Sequence, residues 1–287
     1  MKVIKRIIEY DSRSKNSIFL VPFGDLHVGH KACDLDAIYK TRDFILEHDR
    51  TYWIGMGDYA EVITARDLRH DYQALDVERS TPDKQFRFIE ELFRPIKEKC
   101  IGLLDGNHEY KYWMLNNHNY TDQLAYNLGV PYLTYCAYIR LIFKRRTSTS
   151  SKGNIFNIYA HHGSTGARSD PWKVRVIQDM ANHFPNLNLY LMGHVHKRGE
   201  APPQVQLYVD KSLRIREREQ RFVFTGSYLK SYEEGTSTYA SRKGYKPSSL
   251  GSPIIEIKVL RTEDQYTTPK RFAIRVMDLS FFEERFK

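Results

Sequence analysis

The chain has 287 residues, of which 41% are apolar and 28% are charged, and its formal net charge is +9. A chain of this length and apolar content can bury a substantial core, and no apolar run reaches the roughly 18–20 residues of a membrane span, so a disordered chain and a membrane protein are both excluded. The positive charge favours a polyanionic partner, although solubility alone explains it equally well.

The first two thirds of the chain contain five strand-length apolar runs, and each ends in a polar turn with glycine or histidine. They are SIFLVPFGDLH at 17–27, TYWIGMGDY at 51–59, CIGLLDGNHE at 100–109, FNIYAHHG at 156–163 and LNLYLMGHVH at 187–196. Helical patterns occupy 34–48 and begin again at Thr81 and at Asp170, each followed by proline. Pro95 is expected to end or kink the second helix. This alternation predicts an α/β fold.

The second half of the chain also contains segments with the alternating pattern of half-buried strands. The segments are YIRLIFKRR, QVQLYVDKSLRIRE, RFVFTGSY, SPIIEIKVL and RFAIRVMDL. They predict a second sheet, with 147–154 as a hairpin loop and 232–252 as an irregular connection. The N-terminal apolar run is too short and too charged for a signal peptide, so we expect a cytoplasmic protein without membrane association.

Side chains that commonly bind metals close the five apolar runs. They are Asp25 and His27, Asp58, Asn107 and His108, His161 and His162, and His194 and His196. Strands of one sheet that end side by side open onto one crevice, so these residues can meet in space. In extended chain, the i,i+2 spacing of Asp25 with His27, and of His194 with His196, directs both side chains of a pair to one face. Taken singly, each of these signals also fits a core histidine or a turn, but together they predict a metal site.

In chain order the motifs read D-x-H, G-D, G-N-H-E, H and G-H-x-H, and this combination resembles the calcineurin-like metallophosphoesterase superfamily. The resemblance implies a four-layer α-β-β-α sandwich of two mixed β-sheets flanked by helices. A single domain would span 1–287, with the metal-site motifs in 25–196 and a β-rich C-terminal part that completes the second sheet. The final third matches no subfamily that we can name.

The resemblance also implies a pair of divalent metal ions. One ion would be held by Asp25, His27 and His196, and the other by Asn107, His161 and His194, with Asp58 bridging the two. Because His161 directly follows the apolar run, we favour it as the ligand and leave His162 in the outer shell as the alternative. Mixed carboxylate, amide and imidazole donors suit manganese first, with iron, zinc, cobalt or nickel as alternatives.

The implied activity is hydrolysis of a phosphate ester, with a hydroxide shared by the two ions attacking in line with the leaving oxygen. His108 would be the catalytic residue that protonates that oxygen, and Glu109 would orient its neighbours. We predict a phosphodiesterase or nuclease acting on nucleic acid or nucleotides, since the chain is basic and GDLHVGH resembles the opening motif of this superfamily's double-strand-break repair nucleases. A phosphomonoesterase or small-molecule phosphodiesterase is the alternative. A non-catalytic scaffold is disfavoured because every expected ligand is present.

Substrate specificity is expected to come from loops around the crevice. Arg168 could hold a phosphate oxygen, or it could be a solvated loop residue. The segment KYWMLNNHNY, at 111–120, offers groups that could stack on a base, or it could be a helix that packs its aromatic residues inward. The basic stretches 144–152 and 211–221 could follow a nucleic-acid backbone, but acidic residues interrupt the second and favour a salt-bridged surface. The sequence does not indicate an oligomeric state.

Overall fold

The structure is a computed structural model that describes residues 1–10, 17–65, 67, 70–146, 153–164, 166, 169–210, 212–260 and 272–286. Two mixed β-sheets form its centre. The six-stranded sheet contains, in spatial order, β1 (Lys2–Tyr10), β5 (Cys136–Arg145), β6 (Asn154–His161), β7 (Leu189–Met192), β9 (Ile215–Thr225) and β8 (Arg198–Val209). The five-stranded sheet contains β11 (Phe272–Met277), β10 (Ile254–Val259), β2 (Ser17–Phe23), β3 (Thr51–Gly55) and β4 (Cys100–Leu103).

Seven α-helices lie in the described part of the chain. They are α1 (Leu35–Glu47), α2 (Pro82–Phe93), α3 (Asn107–Asn116), α4 (Tyr120–Leu128), α5 (Asp170–His183), α6 (Tyr239–Lys243) and α7 (Leu279–Phe286). Asp34 and Thr81 cap α1 and α2, accepting hydrogen bonds from the backbone N–H of Ala37 and Lys84. The α-helix α2 ends at Phe93, and a 3₁₀ turn over Arg94–Lys99 follows, because Pro95 cannot continue the α-helical hydrogen bonding.

The predicted four-layer sandwich is confirmed. Side chains from the facing surfaces of the two sheets form the central core, for example Leu20 and Ile54 against Ile139 and Ile158. Helices α1, α2 and α4 cover the outer face of the five-stranded sheet through a second cluster, and α5 covers the outer face of the six-stranded sheet through a third. Strands that are buried on both faces read as continuous apolar runs, which is why β2, β3, β4 and β7 could be located from sequence.

Two parts of the six-stranded sheet differ from the sequence expectation. The N-terminal segment, which carried no strand prediction, forms the half-buried edge strand β1 and pairs in parallel with β5. The segment 204–217, read as one alternating run, is two strands, because the carboxylate of Asp210 accepts bonds from the N–H groups of Ser212 and Arg214 and turns the chain. Strands β5 and β6 pair as the expected hairpin, although residues 147–152 of its loop lie outside the described part of the chain.

The parallel strands point their carboxyl ends toward one edge of the sandwich. In one sheet β2, β3 and β4 are parallel, and in the other β6, β7 and β9 are parallel. The loops after β2, β3, β4, β6 and β7 therefore meet at this edge, and they carry the predicted ligand residues. No helix among the described residues is long and apolar enough to cross a membrane.

Candidate metal centre

Hydrogen bonds from backbone N–H groups connect the loops to one another. The N–H groups of Asp25 and Leu26 donate to the carbonyl oxygens of Gly57 and Asp58 at 2.8 Å, which joins the loops after β2 and β3. The N–H of His194 donates to both carboxylate oxygens of Asp25 at 3.1 Å, which joins the loops after β7 and β2. The N–H of His108 donates to Asp58 Oδ1 at 2.9 Å. The loops after β2, β3, β4 and β7 are thus linked around two carboxylates.

Five of the predicted ligand residues have left-handed backbone conformations rather than the extended ones assumed from the i,i+2 spacing. The φ angles are 50° for Asp25, 53° for His27, 50° for Asp58, 65° for His194 and 50° for His196. The extended geometry predicted for these pairs was therefore wrong. A left-handed conformation costs a residue other than glycine about 1–2 kcal/mol, and it persists only where surrounding contacts enforce it. Strain concentrated in these loops is typical of a functional site.

Glycine is needed where the loops after β3 and β4 approach each other. A Cβ atom on Gly106 would lie 2.0 Å from Asp58 Oδ1 and 2.1 Å from Asp58 N. Gly57 has φ +86°, and a Cβ there would lie 2.5 Å from Gly106 N. Only glycine fits both positions, so the G-D and G-N-H motifs allow Asp58 to lie directly against the start of α3.

The first group of potential ligands consists of Asp25, His27 and His196, whose donor atoms all lie within 4.8 Å of one another. His27 Nε2 lies 3.1 Å from His196 Nε2, which in turn lies 3.5 Å from Asp25 Oδ1. The other ring nitrogen of His27 contacts Glu61 Oε2 at 2.9 Å. Because Glu61 accepts the hydrogen of Nδ1, Nε2 is left as the nitrogen that can face a metal.

The second group consists of Asp58, His162 and His194, again within 4.8 Å of one another. His162 Nε2 lies 3.3 Å from Asp58 Oδ2 and 3.1 Å from Asn107 Oδ1. Its Nδ1 donates to the carbonyl oxygen of Met56 at 2.7 Å, which directs Nε2 toward the group. Asn107 therefore completes a set of four donors.

The adjacent histidines His161 and His162 occupy different environments. His162 is fully buried in the second group, whereas His161 is half-buried and belongs to none of the clusters found among the described residues. His161 Nδ1 accepts a hydrogen bond from the Gly163 N–H at 2.8 Å, so its Nδ1 is already engaged. Its place directly after the apolar run favoured His161 as the ligand, but the structure brings His162 together with the other donors.

Asp58 belongs to the second group and also lies close to the first. Its Oδ2 atom is 3.3 Å from His162 Nε2 in the second group and 4.0 Å from His27 Nε2 in the first. The side chain is buried, and three backbone N–H groups, from Asp58 itself, Ala60 and Gly106, donate to Glu109 at 2.9–3.1 Å. Glu109 thus fixes the backbone on both sides of Asp58.

His108 packs against His27 of the first group, and its Nδ1 atom points to the backbone of Glu61. Its Nδ1 donates to the backbone carbonyl of Glu61 at 2.7 Å, and Glu61 Oε2 lies 3.7 Å from the same nitrogen. Its ring packs edge-on against His27, with 4.8 Å between the ring centroids. Glu61, which contacts both histidines, was not singled out from the sequence. The only signal for it is an acidic residue three positions after Asp58.

The spacing of the donors fits metal coordination. Two ligand atoms that each lie about 2.1 Å from one ion, at angles between tetrahedral and right angles, are separated by about 3.0–3.4 Å. The contacts inside the two groups measure 3.1–3.5 Å. The two buried groups can therefore each hold a divalent metal ion.

The electrostatics of the centre also favour added positive charge. Burial raises the pKa of Asp25 to about 7, against the opposing effect of nearby histidines. Burial by itself would lower the pKa values of His27 and His162, but Glu61 and Asp58 raise them to about 9 and about 10 respectively. The carboxylates thus hold protons on both imidazoles, and a bound cation could replace that charge.

Three other histidines of the centre, His161, His194 and His196, have lowered pKa values. Burial, together with the smaller effect of the nearby charge on His162, lowers the pKa values of His161 and His194 to about 4. Burial also holds the pKa of His196 well below its usual range, with an added effect from His27. Metal ligation requires neutral imidazole, and His194 and His196 meet that requirement near neutral pH without releasing a proton.

Two predicted substrate contacts have different outcomes. Arg168 lies outside the described residues. The segment 111–120 comprises the end of α3 and the first residue of α4. In α3, Tyr112 packs on the core, whereas Trp113 is 38% exposed and Tyr110, just before the segment, is 45% exposed. Tyr135, which no sequence pattern singled out, lies with its ring centroid 5.5 Å from that of His161 and 5.4 Å from that of His162.

The second basic stretch is a salt-bridged surface where the structure describes it. Arg216 pairs with Asp210 at 2.7 Å, and Arg221 pairs with Glu219 and Glu200. These two guanidinium groups are thus committed to neighbouring carboxylates, as the interleaved charges indicated.

No protein-family model and no curated protein sequence matches the chain. Among solved structures, a conserved uncharacterized protein from Streptococcus pneumoniae TIGR4, described as a predicted phosphoesterase, is 12% identical over 91% of this chain and 98% of its own, with a TM-score of 0.34. A hypothetical protein from Thermus thermophilus is 9% identical over 91% of this chain and 100% of its own, with a TM-score of 0.31. Both scores are low, so function has to be inferred from the geometry of the centre.

Proposed function

We propose that the protein is a phosphoesterase that requires two divalent metal ions and cleaves phosphodiesters of nucleic acid or nucleotides. The observation that carries this proposal is the position of Asp58, whose carboxylate faces both groups of donors from one buried site. A carboxylate so placed can bridge two ions. When bound, a pair of such ions neutralises phosphate charge and lowers the pKa of water.

Each ion would have its own set of protein ligands. The first set is Asp25, His27 and His196, the second is Asn107, His162 and His194, and Asp58 belongs to both. His162 replaces His161 in this assignment because its Nε2 atom lies beside Asp58 and Asn107, whereas His161 joins no donor group among the described residues. The donors are carboxylate, amide and imidazole, for which manganese remains our first choice, ahead of iron, zinc, cobalt or nickel.

His108 is the proposed general acid. Its Nδ1 hydrogen is committed to the carbonyl oxygen of Glu61, so a proton for the leaving oxygen would come from Nε2 of the imidazolium form. The ring is held beside His27 without belonging to the two proposed ligand sets, which suits a residue that acts on the substrate. The side chain of Glu61, through its contact with Nδ1 of His27, would keep the first set aligned.

The net charge of +9 favours a phosphodiester that belongs to a polyanion. The test is hydrolysis of bis(p-nitrophenyl) phosphate, oligonucleotides and p-nitrophenyl phosphate after removal of metals and again after addition of manganese. We expect diester hydrolysis that chelator abolishes and about two manganese ions restore. Asp58→Asn should abolish it and lower metal content, whereas Asp179→Asn, on the exposed surface of α5, should not.

Activity that survives exhaustive chelation, or an Asp58→Asn variant with normal metal content and rate, would refute the dinuclear assignment. If the protein hydrolyses the monoester rapidly and hydrolyses none of the diesters, the proposed metal centre would stand. The proposed substrate class would then change to phosphomonoesters.

A further inference from the structure

Helix α3 carries aromatic residues from the metal centre toward solvent. Its first residue, Asn107, lies in the second donor group, and Tyr110 and Trp113 follow at intervals of three residues. Residues three apart are neighbours on a helix surface, so these three side chains follow one another along α3. Asn107 is beside the proposed metals, whereas Trp113 lies in the last turn of the helix.

The aromatic rings form a connected series that begins at the second donor group. The centroid of Tyr135 lies 5.4 Å from that of His162 and 6.2 Å from that of Tyr110, and Tyr110 lies 5.9 Å from Trp113. We call Tyr135, Tyr110 and Trp113 the aromatic platform. The hydroxyl of Tyr135 donates to the carbonyl of Gly163 at 2.8 Å, which fixes the ring that is nearest to the centre.

The exposure of the platform is not explained by packing. Tyr112, on another side of the same helix, packs on the core and against Tyr120, so α3 does not depend on Tyr110 or Trp113 to attach it to the fold. Met114 beside them is 64% exposed. The one charged residue of the segment 110–117, Lys111, pairs with Asp67 at 2.9 Å. The platform is thus uncharged and presents aromatic rings rather than ionic groups.

We propose that the aromatic platform stacks an unpaired base of the substrate next to the scissile phosphate. This inference rests on the proposed function, because the platform serves catalysis only if a phosphodiester is cleaved at the metal centre. Aromatic side chains bind single strands through stacking with little sequence preference, because every base has a π face. A base in a duplex has its faces covered by its neighbours, so the substrate class is single-stranded nucleic acid or a nucleotide.

The catalytic test compares a single-stranded oligonucleotide with a strand of the same length in which abasic residues replace the bases. Loss of stacking on one base should lower kcat/KM by about 5- to 150-fold. We expect Trp113→Ala to lose this factor on the base-bearing strand and to match the wild type on the abasic strand. Trp113→Phe should recover most of the loss, and Tyr126→Ala, which removes an aromatic ring that is 83% exposed on α4, should change neither rate.

A binding test separates this inference from the proposed function. Trp53 is buried and Trp172 is exposed, so the fluorescence change of a Trp172→Phe protein reports mainly on Trp113. With chelator present, adenosine monophosphate should quench this fluorescence and ribose 5-phosphate should not. Quenching without any metal-dependent hydrolysis would support the platform while refuting the phosphodiesterase.

Two results would overturn the platform itself. In the first, Trp113→Ala leaves unchanged the ratio of kcat/KM on the base-bearing strand to kcat/KM on the abasic strand, and adenosine monophosphate and ribose 5-phosphate change the fluorescence equally. The other is a change in oligomeric state, measured by sedimentation, when Trp113 is replaced while the ratio of the two rates stays constant. That second result would make the patch a protein interface.

Discussion

Replacing His162 by alanine tests which of the two adjacent histidines serves the metal centre. His162 is fully buried, and its Nε2 atom contacts both Asp58 and Asn107 at 3.1–3.3 Å. The substitution removes one of four donors from the second group. His161→Ala is the matched control, because it removes the same side chain one residue earlier in the chain, where no described donor group includes it.

The expected magnitude follows from the role of the side chain. Loss of a residue that only orients a ligand typically lowers metal affinity 10–100-fold, so loss of a ligand should exceed roughly 100-fold, or about 2.7 kcal/mol. His161→Ala should stay within about tenfold of the wild type. His162→Ala also leaves a cavity and removes the bond to the carbonyl of Met56, so the stability of the metal-free protein must be measured separately.

Manganese binding by isothermal titration and metal content after dialysis would be measured for the wild type and both variants. Urea unfolding of the chelated proteins would show whether a variant is folded. A folded His162→Ala protein that retains both ions, with His161→Ala losing one, would refute the assignment. His162→Asn, which keeps a polar side chain, would repeat the test if the alanine variant does not fold.

Two further predictions concern Glu61 and His108, which both lie beside His27 of the first group. Glu61→Gln should lower affinity for one ion about 10–100-fold and leave the other unchanged, since Glu61 contacts His27 in the first group alone; equal weakening of both ions, measured by titration, would contradict this. His108→Ala should retain both ions yet lose about 10²–10⁴-fold in rate on an ester with a poor leaving group, and less on an aryl ester. Loss of metal in that variant would make His108 a ligand, and full activity on both esters would make it structural.

Most of the secondary structure could be located from the sequence because its signals are local. The strands buried on both faces are continuous apolar runs, and α1 and α2 begin at capping residues that hydrogen-bond to their own helices. Strand β1 was missed because its apolar residues do not alternate with the polar ones: Val3 and Ile7 are exposed, whereas Arg6 is half-buried. It is a strand because β5 supplies its hydrogen bonds, and that partner lies far away in the sequence.

The choice between His161 and His162 depended on which face of β6 points toward the other sheet. Side chains alternate along a strand, so Phe156, Ile158 and Ala160 face the central core, while Tyr159 packs toward α5. Continued past the end of the strand, this alternation brings His162 to the side of Asp58. This alternation can be read from the sequence. It selects His162 only when the facing sheet is known to carry the other donors.

The sequence by itself determined the kinds of donor atom and their position after strands, because residue type and strand propensity are properties of short segments. Only the tertiary structure decided which potential donors meet and how Glu61 and Tyr135 contact the histidines. It also decided that five of the predicted ligand residues adopt left-handed backbone conformations. These features depend on hydrogen bonds and steric contacts between loops that are distant in the chain. No single loop would hold the strained conformation alone, since its cost is offset by bonds that the neighbouring loops supply.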